Sequence, residues 1–402
     1  MKDNQQLQVK IYRTWQDVSQ LADRWNELLS QSSSDSVYLT YEWLKSWWIA
    51  FGASRELFAI GFFGPDGTLI GIAPFYRIQN PDTKLPVRVL RFLGTGTGAL
   101  STSLGLIFRK DYEASGVRRL LDWLSASRSE WNVMDLHYMQ SESPVTQMLA
   151  GEIARNRWFY VQNEGPHSIV SLPDNYETYL GSLSKKMRSE IPYENRRLQK
   201  HFKVDIRKVL TEDELPPAVD ELMRLNTERW QARGKAGSFF NEERRVFVHE
   251  MSREFLKLGW LDFWMLDLDG RPAAIEFGFR YGETFYPQWM ALDSEYQAHS
   301  PGFVLKSHII QELIRDGIRI YDFMGGVEPY KMRWGVEKLK YKSLLCAAPY
   351  SSGALYLRMS IVKKSGIKSY VRSKCSNYLN SVLPPKAISF FKDLSHRLRL
   401  KN

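Results

Sequence analysis

The alternation of apolar and polar positions divides the chain into helices and strands in an order that occurs twice. In the first pass, Gln8–Tyr12 reads as a short strand and Asp17–Ser30 as a helix. A polar loop, QSSSDS, precedes a second helix, TYEWLKSWWIAFG, with Thr40 placed to cap it and Gly52 to close it. The segment LFAIGFFGPDGTLIGIAPFYRI is two apolar strands around Pro65-Asp66-Gly67, a hairpin signal. Strands at Val87–Leu93 and Leu104–Phe108, a helix near Ser115–Ser125 and a strand, WNVMDLHYM, follow.

The second pass begins with helices at Ala218–Gln231 and in NEERRVFVHEMSREFLKLG. The hairpin DFWMLDLDGRPAAIEFGFRYG turns at Asp269-Gly270, and TFYPQWMAL leads through a polar loop to a helix opening at Ser300-Pro301-Gly302. The last strand is IRIYDFM. Tyr112 precedes Asp135 by 23 residues and Tyr296 precedes Asp322 by 26. Such a recurrent order indicates duplication. It predicts an α/β fold of mixed sheets with helices on their faces, in two tandem units. The expected domains are 1–170, 171–350 and a basic helical tail, 351–402. A strand, helix and parallel neighbouring strand open a crevice at the strand ends, where ligands collect. Asp135 and Asp322 stand near the ends of equivalent strands.

Composition and charge narrow the picture. The 402 residues are 44% hydrophobic and 25% charged, as in a soluble globular protein of two or three domains. No apolar run is long enough for a membrane-spanning helix, and MKDNQQLQVK lacks the apolar core of a secretory signal. Two cysteines make neither a disulfide framework nor a zinc site, so a cytoplasmic location without a metal is expected. Residues 351–402 hold eleven Lys/Arg and one acid, which accounts for the whole net charge of +10 and leaves the rest neutral. In the tail, Ala387, Phe390, Phe391, Leu394 and Leu398 share one helical face. That face suits an anionic membrane surface or docking onto the body, and the pattern leaves both open.

The chemistry-bearing residues concentrate in the second unit. IYDFMGGVEPYKMRWG puts Asp322, Glu328, Tyr330, Lys331 and Trp334 around a glycine turn. Acyl transfer needs a base, donors for the oxyanion and an acid for the leaving group, and this loop contains groups for each. A capped turn with a solvated lysine accounts for the same residues. Glu276 stands mid-strand in AAIEFGFRY among small residues, as a cavity-lining base or as a salt-bridge partner of Arg280. Ser300 and Gly302 fit an anion-binding helix start or an ordinary cap. In SLSKKMRSEIPYENRRLQK, Lys185, Lys186 and Arg188 would contact phosphates or form a solvated face, and Pro192 is expected to kink the helix.

YLTYEWLKSWWIAFG, SLSKKMRSEIPYENRRLQK, SEYQAHSPGFVL and IYDFMGGVEPYKMRWG together resemble the GNAT-superfamily acyltransferases associated with cellulose and exopolysaccharide biosynthesis, over residues 35–345. These are similar to the Fem-type aminoacyltransferases, which also carry two GNAT-like folds. The resemblance implies an N- or O-acyltransferase using acyl-CoA as co-substrate, with a sugar or lipid-linked acceptor. It implies Glu276 as base, Tyr330 as acid, Lys331 and Asp322 as positioning groups, Ser300 and Gly302 at the cofactor, and Lys185, Lys186, Arg188, Asp135 and Trp334 at the substrate. The basic tail, which lies outside the resemblance, is expected to give a peripheral place at the inner face of the plasma membrane, beside a polysaccharide synthase. Where the superfamily carries Q/R-x-x-G-x-G/A before its long helix, this chain reads YQAHSPGFV and DYEASGVRR. Fem-type relatives use no coenzyme A and take an aminoacyl group from tRNA, which is the alternative reading. A non-catalytic, membrane-tethered scaffold is the third.

Overall fold

The computed structural model describes residues 7–80, 87–98 and 100–360. The strands are β1 (Gln8–Tyr12), β2 (Glu56–Phe63), β3 (Leu69–Asn80), β4 (Val87–Phe92), β5 (Ile107–Phe108), β6 (Val133–Gln140), β7 (Phe159–Ser171), β8 (Val204–Lys208), β9 (Leu261–Leu268), β10 (Arg271–Tyr281), β11 (Thr284–Leu292), β12 (Ile320–Gly325) and β13 (Glu337–Ala347). They form one continuous sheet in the order β1-β2-β3-β4-β6-β13-β7-β12-β11-β10-β9-β8, with β5 paired to β3.

That order is a palindrome of two like units. β1, β2, β3, β4 and β6 of the first match β8, β9, β10, β11 and β12 of the second. The final strand of each unit is exchanged. β7, which ends the first unit, pairs with β12, while β13, which ends the second, pairs with β6. The exchanged strands then pair with each other over eleven residues, Glu337 opposite Ile169 through Ala347 opposite Phe159. The two units therefore share one sheet. The expected boundary at 170/171 falls at the end of β7.

In each unit the helix crossover produces one parallel pair, and it is short. β4 meets β6 only at Val89–Val133 and Leu90–Met134, and β11 meets β12 only at Thr284–Ile320 and Phe285–Tyr321. Beyond those pairs the ladder ends although the strands continue. The next residue on the later strand is Asp135 in one unit and Asp322 in the other. The two acids thus hold equivalent positions at the start of the two divergences.

Local sequence accounts for the flanking helices. Thr40 accepts a hydrogen bond from the Trp43 N–H and starts the helix Tyr41–Phe51. Trp43 and Trp47 of that helix are fully buried. Trp43 packs edge-on against Phe247 of the helix Glu242–Lys257 at 5.1 Å, joining the two units' corresponding helices in one core. On the other face of the second unit, the helices Lys185–His201 and Pro301–Arg315 cover a second core. The first of these runs unbroken through Pro192, so the proline does not end it. The single helix expected over Asp17–Ser30 is two, Trp15–Ser19 and Ala22–Ser30.

Residues 352–360 begin a helix whose Ala354 and Leu357 are buried against Val87, Val89, Val133 and Ala347. The remainder of the expected basic tail, with the Phe390 face and Cys375, lies outside the described residues. Among the described residues no helix is long and apolar enough to cross a membrane.

Candidate active site

β12 alternates, so its neighbouring residues serve opposite faces of the sheet. Tyr321 and Phe323 point toward the helix Pro301–Arg315, while Asp322 and Met324 point toward the core shared by the two units. The candidate chemistry divides accordingly.

On the first face, Glu276 of β10 is wholly buried and has both oxygens engaged. Lys306 Nζ donates to Oε1 at 2.9 Å and Oε2 at 2.8 Å, and the Tyr321 hydroxyl donates to Oε1. The Lys306 ammonium also lies against the Tyr321 and Phe323 rings, 4.8 and 5.2 Å from their centroids. Burial pulls the Lys306 pKa down while the Glu276 carboxylate opposes that shift. Burial, reinforced by the Glu276 charge, pushes the Tyr321 phenol well up. The expected alternative partner of Glu276, Arg280, instead binds Asp262 and Asp316. Glu276 is thus a closed, doubly held carboxylate rather than an open base.

Tyr330 and Lys331 border that triad. The Lys331 charge acts on Lys306, and the Glu276 charge acts on Tyr330. Lys331 Nζ donates to the Gly325 carbonyl at 2.6 Å and pairs with Glu328 at 2.9 Å, which fixes the turn at Gly325-Gly326. Tyr330 is 55% exposed. Burial and the charges of Glu328 and Glu276 push its phenol up to about 12, so it carries its proton at neutral pH. Trp334 is buried, packs on Phe303 at 5.1 Å and accepts the Tyr179 hydroxyl on its carbonyl. It is a wall of the second core.

The start of the helix Pro301–Arg315 differs from expectation. Ser300 adopts a left-handed φ of 53° and its side chain makes no capping bond. A Cβ on Gly302 would lie 2.6 Å from Leu292 Cδ2, so a larger residue there needs the end of that side chain to move. Pro301 has no N–H and the Phe303 N–H is bonded to the Ser300 carbonyl, so Gly302 holds the free amide of this first turn. Lys185 and Lys186 are exposed at the start of the helix Lys185–His201. Arg188 turns back to the Gly181 and Leu183 carbonyls at 2.9 and 3.0 Å. Leu183 approaches Gly335, and Arg333 pairs with Glu190 at 2.6 Å. The basic helix start therefore flanks the loop carrying Tyr330 and Lys331.

On the opposite face, Asp322 is buried at the divergence of β11 and β12. It accepts the Met324 N–H at 2.7 Å, with Met324 in a left-handed φ of 61°, and lies 3.1 Å from His167 Nε2. The Tyr38 hydroxyl stands between the diverging strands, 3.3 Å from Gln288 Oε1 and 3.2 Å from Met324 Sδ. In the first unit the equivalent acid is neutralised. Asp135 pairs with Arg91 at 2.7 Å and with His137 at 2.7 Å, and burial is outweighed by those partners, which hold its carboxyl below the usual range. Arg91 occupies the place that neutral Tyr286 holds in the second unit. Asp135 is separated from β12 by two strands, roughly 14 Å across the sheet at the usual spacing, and does not join the second-unit site.

Residues 185–332 match the family described as "Acetyltransferase (GNAT) domain". That match lies wholly within the second unit and covers less than half of the chain. Its overall fold is similar to the crystal structure of FemX, with 10% sequence identity and a TM-score of 0.60 over 84% of this chain and 98% of that one. It is also similar to a conserved protein of unknown function from Bacteroides thetaiotaomicron VPI-5482, with 13% identity and a TM-score of 0.51 over 85% and 100% of the two chains. Comparison with curated protein sequences finds no match. The GNAT match spans the basic helix, both diverging strands and the Tyr330–Lys331 loop. It stops before β13, the strand exchanged into the first unit.

Lys306, Tyr321, His167 and Tyr38 escaped the sequence reading. Lys306 left a signal, a single lysine inside the apolar run GFVLKSHII. His167 left little, since Pro166 beside it argues against an interior strand.

Proposed function

We propose that the second unit is an acyltransferase that takes an acyl thioester of coenzyme A and passes the acyl group to a hydroxyl or amine. The acceptor class is a sugar or lipid-linked intermediate of bacterial exopolysaccharide, cellulose or envelope synthesis. One observation carries this reading. The β11–β12 ladder ends after two pairs, beside the start of the helix Pro301–Arg315, and among the described residues no arginine bridge closes that divergence as Arg91–Asp135 closes the first. Ligands of open α/β sheets bind at such carboxyl ends of parallel strands. A thioester chain laid there has exposed Lys185 and Lys186 nearby for its phosphates, with Lys331 behind the turn. Tyr330 is the protonated donor for the leaving sulfur. Glu276 and Lys306 fix Tyr321 and the helix rather than exchanging protons with substrate. A cytoplasmic protein that touches the inner membrane face through its basic tail, near a polysaccharide synthase, fits this acceptor class.

One observation favours a second reading, transfer from aminoacyl-tRNA. The first turn before Val304 presents one free amide, at Gly302, a sparse cradle for a pyrophosphate. A thermal-shift series with acetyl-CoA, nucleotide sugars and aminoacyl-tRNA separates the readings, because a ligand of the native state raises the melting temperature by mass action. A shift with acetyl-CoA supports the first, and a shift with aminoacyl-tRNA alone replaces it with the second.

A further inference from the structure

Asp322 and His167 meet where the two units exchange strands. His167 belongs to β7, the last strand of the first unit, yet it pairs opposite Gly325 at the end of β12 in the second. The same strand holds the turn that precedes Tyr330. The Pro166 carbonyl accepts the Gly326 N–H at 3.2 Å, and the Ser168 hydroxyl donates to the Gly326 carbonyl at 2.7 Å. His167 thus stands between two backbone ties to the glycine turn. Its side chain is on the Asp322 face, with the Tyr341 ring at 4.3 Å.

The two ring nitrogens are in different states. Nε2 is 3.1 Å from Asp322 Oδ1, while Nδ1 is buried and has no hydrogen-bond partner. An imidazole with one N–H given to a buried carboxylate presents a lone pair on its other nitrogen, the arrangement of an oriented general base. The first unit supplies a contrast. There His137 has both nitrogens occupied, Nε2 by Asp135 and Nδ1 by Ser343 Oγ at 3.2 Å, and Arg91 balances the acid. The bridged acid, Asp135, has a saturated histidine beside it, and Asp322 has one with a nitrogen to spare. A buried polar atom left without a partner carries a free-energy penalty, which a polar ligand reaching Nδ1 would relieve.

Resting on the acyl-transfer reading above, we infer that His167, delivered by the exchanged strand of the first unit, is the general base of the second unit's reaction, with Asp322 as its positioning residue. His167 Nδ1 takes the proton of the acceptor O–H or N–H as that atom attacks the thioester carbonyl. The new C–O or C–N bond forms, the C–S bond breaks as the Tyr330 phenol gives its proton to the leaving thiolate, and the imidazolium's proton restores the phenol by way of solvent. The products are the acylated acceptor and free coenzyme A, and the ring returns neutral. The strand exchange thereby explains why the active unit needs the other: without β7 it lacks its base.

The test uses the full chain in two measurements. Nitrogen-15 NMR of the labelled histidines, with the His167 signals assigned by their loss in His167→Gln, reads the tautomer directly. The inference expects His167 protonated at Nε2 in the wild type and a loss of that preference in Asp322→Asn. Finding the Nδ1-protonated form, or no response to Asp322→Asn, overturns it whether or not coenzyme A is the donor. The second measurement follows thiol release from acetyl-CoA with a pool of glucosamine, glucose and ethanolamine as acceptors. His167→Gln is expected to lower kcat about 100-fold or more while keeping the melting shift with acetyl-CoA. Asp322→Asn is expected to lower kcat with KM for acetyl-CoA unchanged. Wild-type release by His167→Gln overturns the base assignment. A wild-type chain that neither binds nor consumes acetyl-CoA contradicts the donor reading, and the tautomer then decides the pair.

Discussion

Lys306 holds both oxygens of Glu276, at 2.9 and 2.8 Å, across the contact between the helix Pro301–Arg315 and strand β10. Neither side chain reaches solvent to any useful extent. This pins the helix to the sheet at the point where the sheet opens, so a group with the composition of a catalytic base serves as a clamp.

A buried pair of this kind is costly to break singly and cheap to replace as a pair. Glu276→Gln should destabilise the protein by about 3–5 kcal/mol, because Lys306 is left as a buried charge facing neutral acceptors. The double variant Glu276→Leu/Lys306→Met should recover most of that loss. Denaturant midpoints of the three proteins check this. A Glu276→Gln protein of wild-type stability would show that the clamp carries no load.

Gly302 packs the helix start against β11. Gly302→Ala should destabilise by about 1–3 kcal/mol through overpacking against Leu292. A compensating Leu292→Val change should restore part of the loss. If the alanine is neutral in thermal unfolding, the Leu292 side chain yields to the added methyl group.

Asp135 makes acid-side stability measurable in the first unit. Its folded pKa is depressed, since burial is outweighed by His137 and Arg91. The stabilisation is therefore complete above the unfolded value of about 3.9 and is lost as pH falls through the lower folded value. Asp135→Asn should lower stability at pH 6 and lose less than the wild type on acidification below about pH 4. Urea midpoints between pH 6 and pH 2 test it, and parallel curves would refute the linkage.

Lys331 ties the turn at Gly325 to Glu328. Lys331→Ala should reduce acyl transfer tenfold or more and leave the melting temperature close to that of the wild type. Lys331→Arg should rescue part of the rate, since the charge survives but the short contact to the Gly325 carbonyl does not fit a guanidinium fork. Equal turnover by wild type and Lys331→Ala would remove Lys331 from the site.

Much of this arrangement was legible from the chain. The Thr40 cap, the Asp-Gly hairpins and the spacing that made Asp135 and Asp322 equivalent all express local rules, and they located the repeated unit. The grouping of Glu276, Tyr330 and Lys331 was also readable, because a strand, a crossover helix and a second strand converge by topology. Asp322 was grouped with them by proximity in sequence, whereas strand alternation sends it to the other face from Tyr321. The exchange of β7 and β13 was not readable, since pairing between distant strands leaves no periodicity in either. For the same reason His167 was hidden, and with it the partner of Asp322. Ser300 looked like a cap by residue type, but its left-handed backbone turns the side chain away from that duty.

Hydrogen exchange of the full chain with and without acetyl-CoA maps where the donor sits. Protection is expected only at the diverging ends of β11 and β12, the start of the helix Pro301–Arg315 and the Gly325–Lys331 loop. The first unit's counterpart at Val133–Asp135, bridged by Arg91, should not respond. Protection at the Asp135 divergence, or none in either unit, would remove the acyl-CoA site from the second unit.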